Sequence, residues 1–328
     1  MFILDFAYLI IILTIVFLSL GAVTKMLYLN KQKDLLVPLL VIIPQGLSSP
    51  LKEHRPNEIQ LSTQLYSQLH EKRIPFVLEV TVQGVAEEIH FYLSVARKHI
   101  QTVSNIIETI WPTGYVTSDN DYHLWVDSLH QEKGSIVAGY LKELKPYSIP
   151  LKTAKKGVFE PFTPILAHLS HLNILGESVV IQWSAVPAPV QIYQNVSRLI
   201  TRLRLGNYYP SKYIHKEFVI TPKSIQDIQD KIEKPLFKVN CRIVASAKTK
   251  IKAQAIINRL EGILTGTTNP DKYNEFSLVK PANQDSLINS FLTREFQESQ
   301  SMILNTQELA TYFHLPGTKT PLPKLKSD

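Results

Sequence analysis

The sequence predicts an α+β protein held at a membrane: one N-terminal transmembrane helix followed by two tandem strand–helix sandwich modules. Three observations predict it. An uncharged apolar stretch fills residues 6–24, strand-like and helix-like patterns then alternate through two successive rounds, and a proline- and lysine-rich tail follows residue 315. The expected divisions are 1–30 for the anchor and its flank, 31–150 and 151–315 for the two modules, and 316–328 for the tail.

The anchor comes first. Between Asp5 and Lys25 every side chain is uncharged, and Phe6, Leu9, Ile12, Val16, Leu20 and Val23 represent its apolar bulk. Roughly 20 such residues, rising about 1.5 Å each as a helix, cross the hydrocarbon core of a bilayer. A cleaved signal peptide would carry a positive n-region before a shorter apolar core. Here the preceding residues are Met-Phe-Ile-Leu-Asp, and the positive charges come afterwards, at Lys25, Lys31 and Lys33. That asymmetry favours a retained span with the N-terminus outside and the body in the cytoplasm, hence a single-pass inner-membrane protein. The next apolar run, Leu35 to Ile43, contains Pro38 and is too short to span. It reads as a buried strand or as a segment packed on the body.

Helical spacing of Ile59, Leu61, Leu65 and Leu69 predicts a helix over 57–73, stopped by Pro75. Residues 76–82 alternate apolar and polar positions as a half-buried strand does, Gly84 marks a turn, and 88–95 return as the second strand of a hairpin. A helix over 96–110 ends at Trp111-Pro112, and strands are expected near 115–116, 123–126 and 136–144. The second round has a helix over 161–175, a strand over 179–183, a helix over 190–205 and a short helix over 224–233. A strand over 236–245, a helix over 249–264 and a strand over 276–279 close it. Two such rounds predict two ferredoxin-like modules, each a sheet with helices on one face.

No catalytic, cofactor or metal site is expected. No glycine-rich G-x-x-x-x-G-K-[ST] string is present to bring backbone N–H groups onto phosphate oxygens. His168 and His171 stand one helical turn apart, but without an intervening Glu or a third ligand they read as a packed or surface pair. His90 reads as solvent-facing or satisfied in the core, and Glu87 and Glu88, adjacent on a strand, point to opposite faces. Cys241 lies mid-strand and reads as a small hydrophobe. The Asn195-Val-Ser197 sequon carries no meaning on a cytoplasmic domain. The net charge of +7 could face nucleic acid or anionic lipid, although the alternating Lys248, Lys250 and Lys252 are the nearest thing to a basic run.

Four stretches are similar to a known family: Glu79–Val95, Phe237–Ala247, Ala253–Gly262 and above all Ile303-Leu-Asn-Thr-Gln-Glu-Leu-Ala-Thr-Tyr-Phe-His-Leu-Pro316. Together they resemble the membrane-proximal N-terminal domain of bacterial type IV secretion and conjugation-type (DNA-pumping, helicase-like) ATPases, over roughly residues 35–316. In that family the last stretch leads into the motor, and Asn305, Glu308, Leu309, Phe313, His314 and Pro316 are its boundary positions here. Physically, Asn305 or Thr306 can cap a short helix with Glu308 in its first turn and Leu309 and Phe313 on its buried face. The given sequence has no motor after it, so ATPase activity is not carried over.

The resemblance implies a membrane-anchored structural subunit that docks a separate P-loop ATPase in a type IV secretion or conjugation-like translocation system. A homo-oligomer is a further candidate assembly. The alternative function is single-stranded nucleic-acid binding at the membrane. Arg198, Arg202 and Arg204 on one helix, followed by Tyr208, Tyr209 and Tyr213, mix cations and aromatics as single-strand-binding surfaces do.

Overall fold

A computed structural model describes residues 36–44, 58–82, 88–118, 135–154, 159–172, 177–206, 220–266 and 272–316. The anchor residues Phe6 to Val23, the flank Lys25, Lys31 and Lys33, the strand expected near 123–126 and the tail beyond 316 lie outside them. Among the described residues no helix is long and apolar enough to cross a membrane.

The first half runs β1 (Leu36–Ile42), α1 (Glu58–Glu71), β2 (Phe76–Val82), β3 (Ile89–Ala96), α2 (Ile100–Ile110) and β4 (Tyr115–Ser118). The second half runs β5 (Ser135–Glu143), α3 (Phe162–Ser170), β6 (Ser178–Pro187), α4 (Val190–Arg204), α5 (Pro222–Ile232), β7 (Leu236–Ala247), α6 (Lys250–Thr265) and β8 (Phe276–Val279). A C-terminal extension adds α7 (Gln284–Leu292), β9 (Met302–Asn305) and α8 (Thr306–Tyr312).

All nine strands join one antiparallel sheet in the order β4-β1-β3-β2-β6-β7-β5-β8, with β9 beside β7. Each half therefore orders its strands fourth, first, third, second, and the two halves meet through their second strands. That seam is β2 on β6, in register from Phe76 opposite Ala185 to Val82 opposite Val179. The strand Ser135–Glu143, on the first-half side of the division expected at 150, pairs with β7 and β8 of the second half. The long connection after β4 is where the chain changes halves.

Packing explains which segments take which form. Helices α1, α2, α3 and α6 bury single apolar stripes, such as Ile59, Leu65, Tyr66 and Leu69 on α1, against one face of the sheet. The run from Leu36 is a strand, and β4 covers only Leu39–Ile42, so Pro38 stands where one side of β1 has no β4 partner. Helices α4 and α5 form a separate hairpin inserted between β6 and β7, packed through Val196, Leu199, Ile200, Leu203 and Ile228.

The expectation of a half-buried strand over 76–82 is corrected: all seven residues of β2 are buried. Sequence periodicity assigned nothing to 284–292, yet that stretch is α7. It lays Leu287, Ile288 and Phe291 on Ala138, Val180 and Val244, covering the other sheet face. The sheet at the second half is thus sandwiched between helices, and polar side chains on that face are enclosed.

Strand direction defines two ends of the body. Leu36 lies opposite Ala96, and Phe76 and Pro187 share this end, called proximal here. At the distal end Val82 meets Ile89 and Val179, and β7 finishes at Ala247. Helix α1 runs back from distal to proximal, starting at Glu58 and delivering the chain to β2.

Candidate functional site

The boundary motif forms a clasp within the core. Asn305 caps α8: its side chain accepts from the Glu308 amide at 2.8 Å, while a Glu308 carboxylate oxygen accepts from the Asn305 amide at 2.8 Å. This reciprocal arrangement satisfies two helix-end donors at once. The other oxygen of Glu308 accepts from the Leu151 amide at 2.7 Å and lies 3.2 Å from Lys231 Nζ. Lys231 is also 3.8 Å from Glu143. Burial raises the Glu143 carboxyl to about 7, against the opposing pull of Lys231 and with help from Glu308. A proton on Glu143 leaves one fewer charge enclosed beside Lys231 and Glu308.

The rest of the motif straps α8 to the first half. Leu309 and Phe313 are fully buried. Tyr66 on α1 donates to the Phe313 carbonyl at 2.9 Å, and the Leu315 amide donates to Ser62 Oγ at 3.0 Å. Burial pushes the Tyr66 phenol well above its usual range. Phe313 packs on Phe162 and Phe91, with ring centroids 5.0 and 6.1 Å apart. His314 Nδ1 donates to the Ala310 carbonyl at 3.1 Å, and burial lowers its pKa against the pull of Glu160 and Glu58. Pro316 is the last described residue, half-buried at the end of this strap. Asn305 to Leu315 therefore belong to the body's core.

A second buried polar cluster crosses the seam, and it was not singled out from the sequence. Glu79, Gln182 and Arg242 are directly opposite one another on β2, β6 and β7. Glu79 accepts from Gln182 Nε2 at 2.7 Å and from Arg294 Nε and Nη2 at 3.2 and 3.1 Å. Arg242, fully buried, donates to Gln182 Oε1, Asn240 Oδ1 and the carbonyls of Ser290 and Glu295. Burial lowers its pKa to about 10. Arg294 occupies the left-handed region at φ 53°, where it closes α7: its amide donates to Phe291 O and the Glu295 amide to Ser290 O. Glycine is usual at such a helix end, and the two-point contact with Glu79 accounts for arginine here. The available signal was charge inside apolar runs, as in Val-Leu-Glu79-Val and Cys-Arg242-Ile.

The remaining expected positions are scattered. Arg198, Arg202 and Arg204 are all exposed on α4, and Arg204 bonds Gln229 on α5. Tyr208, Tyr209 and Tyr213 lie outside the described residues. His168 is half-buried, its pKa lowered by burial and by Arg259 and His171, while His171 is exposed. His90 is buried 3.3 Å from Glu88; Glu87 is outside the description. Cys241 is fully buried and its thiol is pushed well above the usual range, so it is not a nucleophile. Among the described residues no group of three His, Cys, Asp or Glu side chains could hold a metal ion. A shallow polar hollow of about 460 Å³ lies along α7, lined by Asn283, Asp285, Asn289, Glu295 and Gln297 among others.

Residues 79–326 match the family described as "Domain of unknown function (DUF8128)", well over half the chain. The chain belongs to the DUF8128 family. No curated protein matches it. The DUF8128 match begins within β2 and takes in the whole second half and the clasp, so both buried clusters fall inside it.

Proposed function

We propose that this DUF8128 protein is a membrane-anchored, non-catalytic platform that docks a separate motor ATPase of a type IV secretion or conjugation-like system. Its body consists of two ferredoxin-like modules fused edge to edge, a reading supported by the β-α-β-β-α-β order and the fourth-first-third-second strand order of each half. The observation that carries the functional proposal is polarity. The chain enters the sheet at the proximal end, at Leu36, and its last strap finishes beside Ser62 and Glu58, towards the distal end. A tether before residue 36 would therefore hold the distal end away from the bilayer, where a motor has room. That end also carries Ile251, 84 % exposed, between Lys250 and Lys252, the latter 3.8 Å from Glu177. Capture of the full chain from native inner membranes recovers a P-loop ATPase under this proposal; recovery of none overturns it.

Single-strand binding is the second reading, supported by the shared exposure of Arg198, Arg202 and Arg204 on α4. It requires affinity for a single-stranded oligonucleotide that falls steeply as salt rises. Absence of binding at low salt disposes of it.

A further inference from the structure

Two helix ends meet at the proximal end of the first half. Helix α1 finishes there and is followed by Lys72 and Arg73, and α2, which packs against α1, starts there after Arg97, Lys98 and His99. Lys72, Arg73, Arg97 and Lys98 are exposed, with Glu71 the one acidic neighbour in these two segments. Ala96, next to Arg97, lies opposite Leu36, so this basic rim shares the end of the sheet at which the N-terminal segment joins it.

Local stability accounts for only part of this cluster: the dipole at the end of α1 favours the charges of Lys72 and Arg73, whereas the start of α2 disfavours Arg97. The start of a helix carries roughly half a positive charge and favours acidic neighbours. Helix α2 has no acidic residue in its first turn and instead follows a turn made of Arg97, Lys98 and His99. Arg73 is at φ 53° in the capping position after α1: its amide donates to His70 O and the Ile74 amide to Leu69 O. That is again a position suited to glycine. Arg294 in the equivalent place on α7 grips Glu79, whereas Arg73 makes no side-chain bond or ion pair among the described residues. Arg97 before a helix start and Arg73 in a left-handed conformation are thus held against local backbone preference, at one end of the body.

We propose that Lys72, Arg73, Arg97 and Lys98 dock the proximal end onto anionic lipid headgroups of the membrane in which the N-terminal segment sits. This rests on the tethered reading above. Residues 25–35 permit a covalent reach of at most about 36–40 Å, so the tether by itself does not fix which end of the body faces lipid. The attraction of an anionic surface decays over about 8 Å at physiological salt, so the rim acts only in contact, and contact fixes which end faces lipid.

The test uses the full chain with Gln101, exposed on the first turn of α2, replaced by cysteine and labelled; buried Cys241 stays unreactive. The protein is reconstituted into vesicles of phosphatidylcholine alone or phosphatidylcholine with phosphatidylserine, and energy transfer to a headgroup dye is read. Transfer is expected to rise with phosphatidylserine and to fall with salt. It should drop to the neutral-vesicle level in the variant Lys72→Gln, Arg73→Gly, Arg97→Gln, Lys98→Gln, each lost charge weakening docking about five-fold. Arg73→Gly alone is expected to weaken docking without lowering Tm, which separates lipid contact from folding. Equal transfer in both vesicles, or in wild type and the fourfold variant, overturns the docking proposal while leaving the tether intact. Failure to float with neutral vesicles after an alkaline wash overturns the tether itself, and docking with it.

Discussion

Replacing Glu79 by alanine tests whether the polar cluster locks the two halves together. Glu79 is the carboxylate held by Arg294 and Gln182, and the Glu79 and Arg294 side chains are 1 % and 5 % exposed. Removing it leaves the Arg294 guanidinium enclosed without a counter-charge, a loss of about 3–5 kcal/mol. Total stabilities are about 5–15 kcal/mol, so the substitution removes a large fraction. In a chain of this size Tm is expected to fall by roughly 10 °C. Arg294→Gly should cost less than Arg294→Ala by about 1 kcal/mol, because glycine relieves the left-handed conformation at φ 53°. The double variant Glu79→Met, Arg294→Gly removes both charges and should be more stable than the sum of the single losses by about 2 kcal/mol or more. Urea unfolding of the full chain in detergent supplies these values. A Glu79→Ala loss below about 1 kcal/mol, or strict additivity in the double variant, would refute the buried pair as the lock.

Two further outcomes follow from the clasp. The Glu143 carboxyl, raised to about 7 from an ordinary 4.5, binds its proton more tightly folded than unfolded, so between those pH values it makes stability fall as pH rises. Glu143→Gln removes that slope, and its stability relative to wild type should grow from pH 4.5 to pH 7, to roughly 3 kcal/mol. Taking the difference cancels the opposite contribution of His314, whose lowered pKa makes stability fall as pH drops below 6.5. A difference that does not change with pH contradicts the assignment. Tyr66→Phe leaves the Phe313 carbonyl without its donor and should cost about 1–3 kcal/mol. Faster proteolysis of the α8 strap in that variant would locate the loss.

Much of the body was legible because its elements carry one clear period. The apolar stripes of α1, α4 and α6 and the long apolar β7 gave their own boundaries, and the α8 cap was visible as Asn305 with Glu308 three residues on. By contrast α2, expected from residue 96, starts only at Ile100 because Ala96 still pairs in β3. Helix α7 was not legible: its apolar residues are few, and its purpose is to cover a sheet face that local sequence does not reveal. For the same reason Glu79 and Thr81 looked solvent-facing in an alternating strand, although both are enclosed. The pairing of β5 with β7 and β8 is non-local and left no trace in periodicity. Among site residues, the role of Asn305 and Glu308 as a helix start could be read, whereas their link to Lys231 and Glu143 depends on chain segments far apart in sequence.

The central claim, a body tethered at one end with a motor at the other, is tested most directly by photo-crosslinking in native membranes. A crosslinker in place of Ile251 samples the distal end and one in place of Arg97 the proximal end. The account predicts a P-loop ATPase adduct from Ile251 and lipid adducts from Arg97. Lipid adducts from Ile251, or an ATPase captured from Arg97 alone, would contradict it.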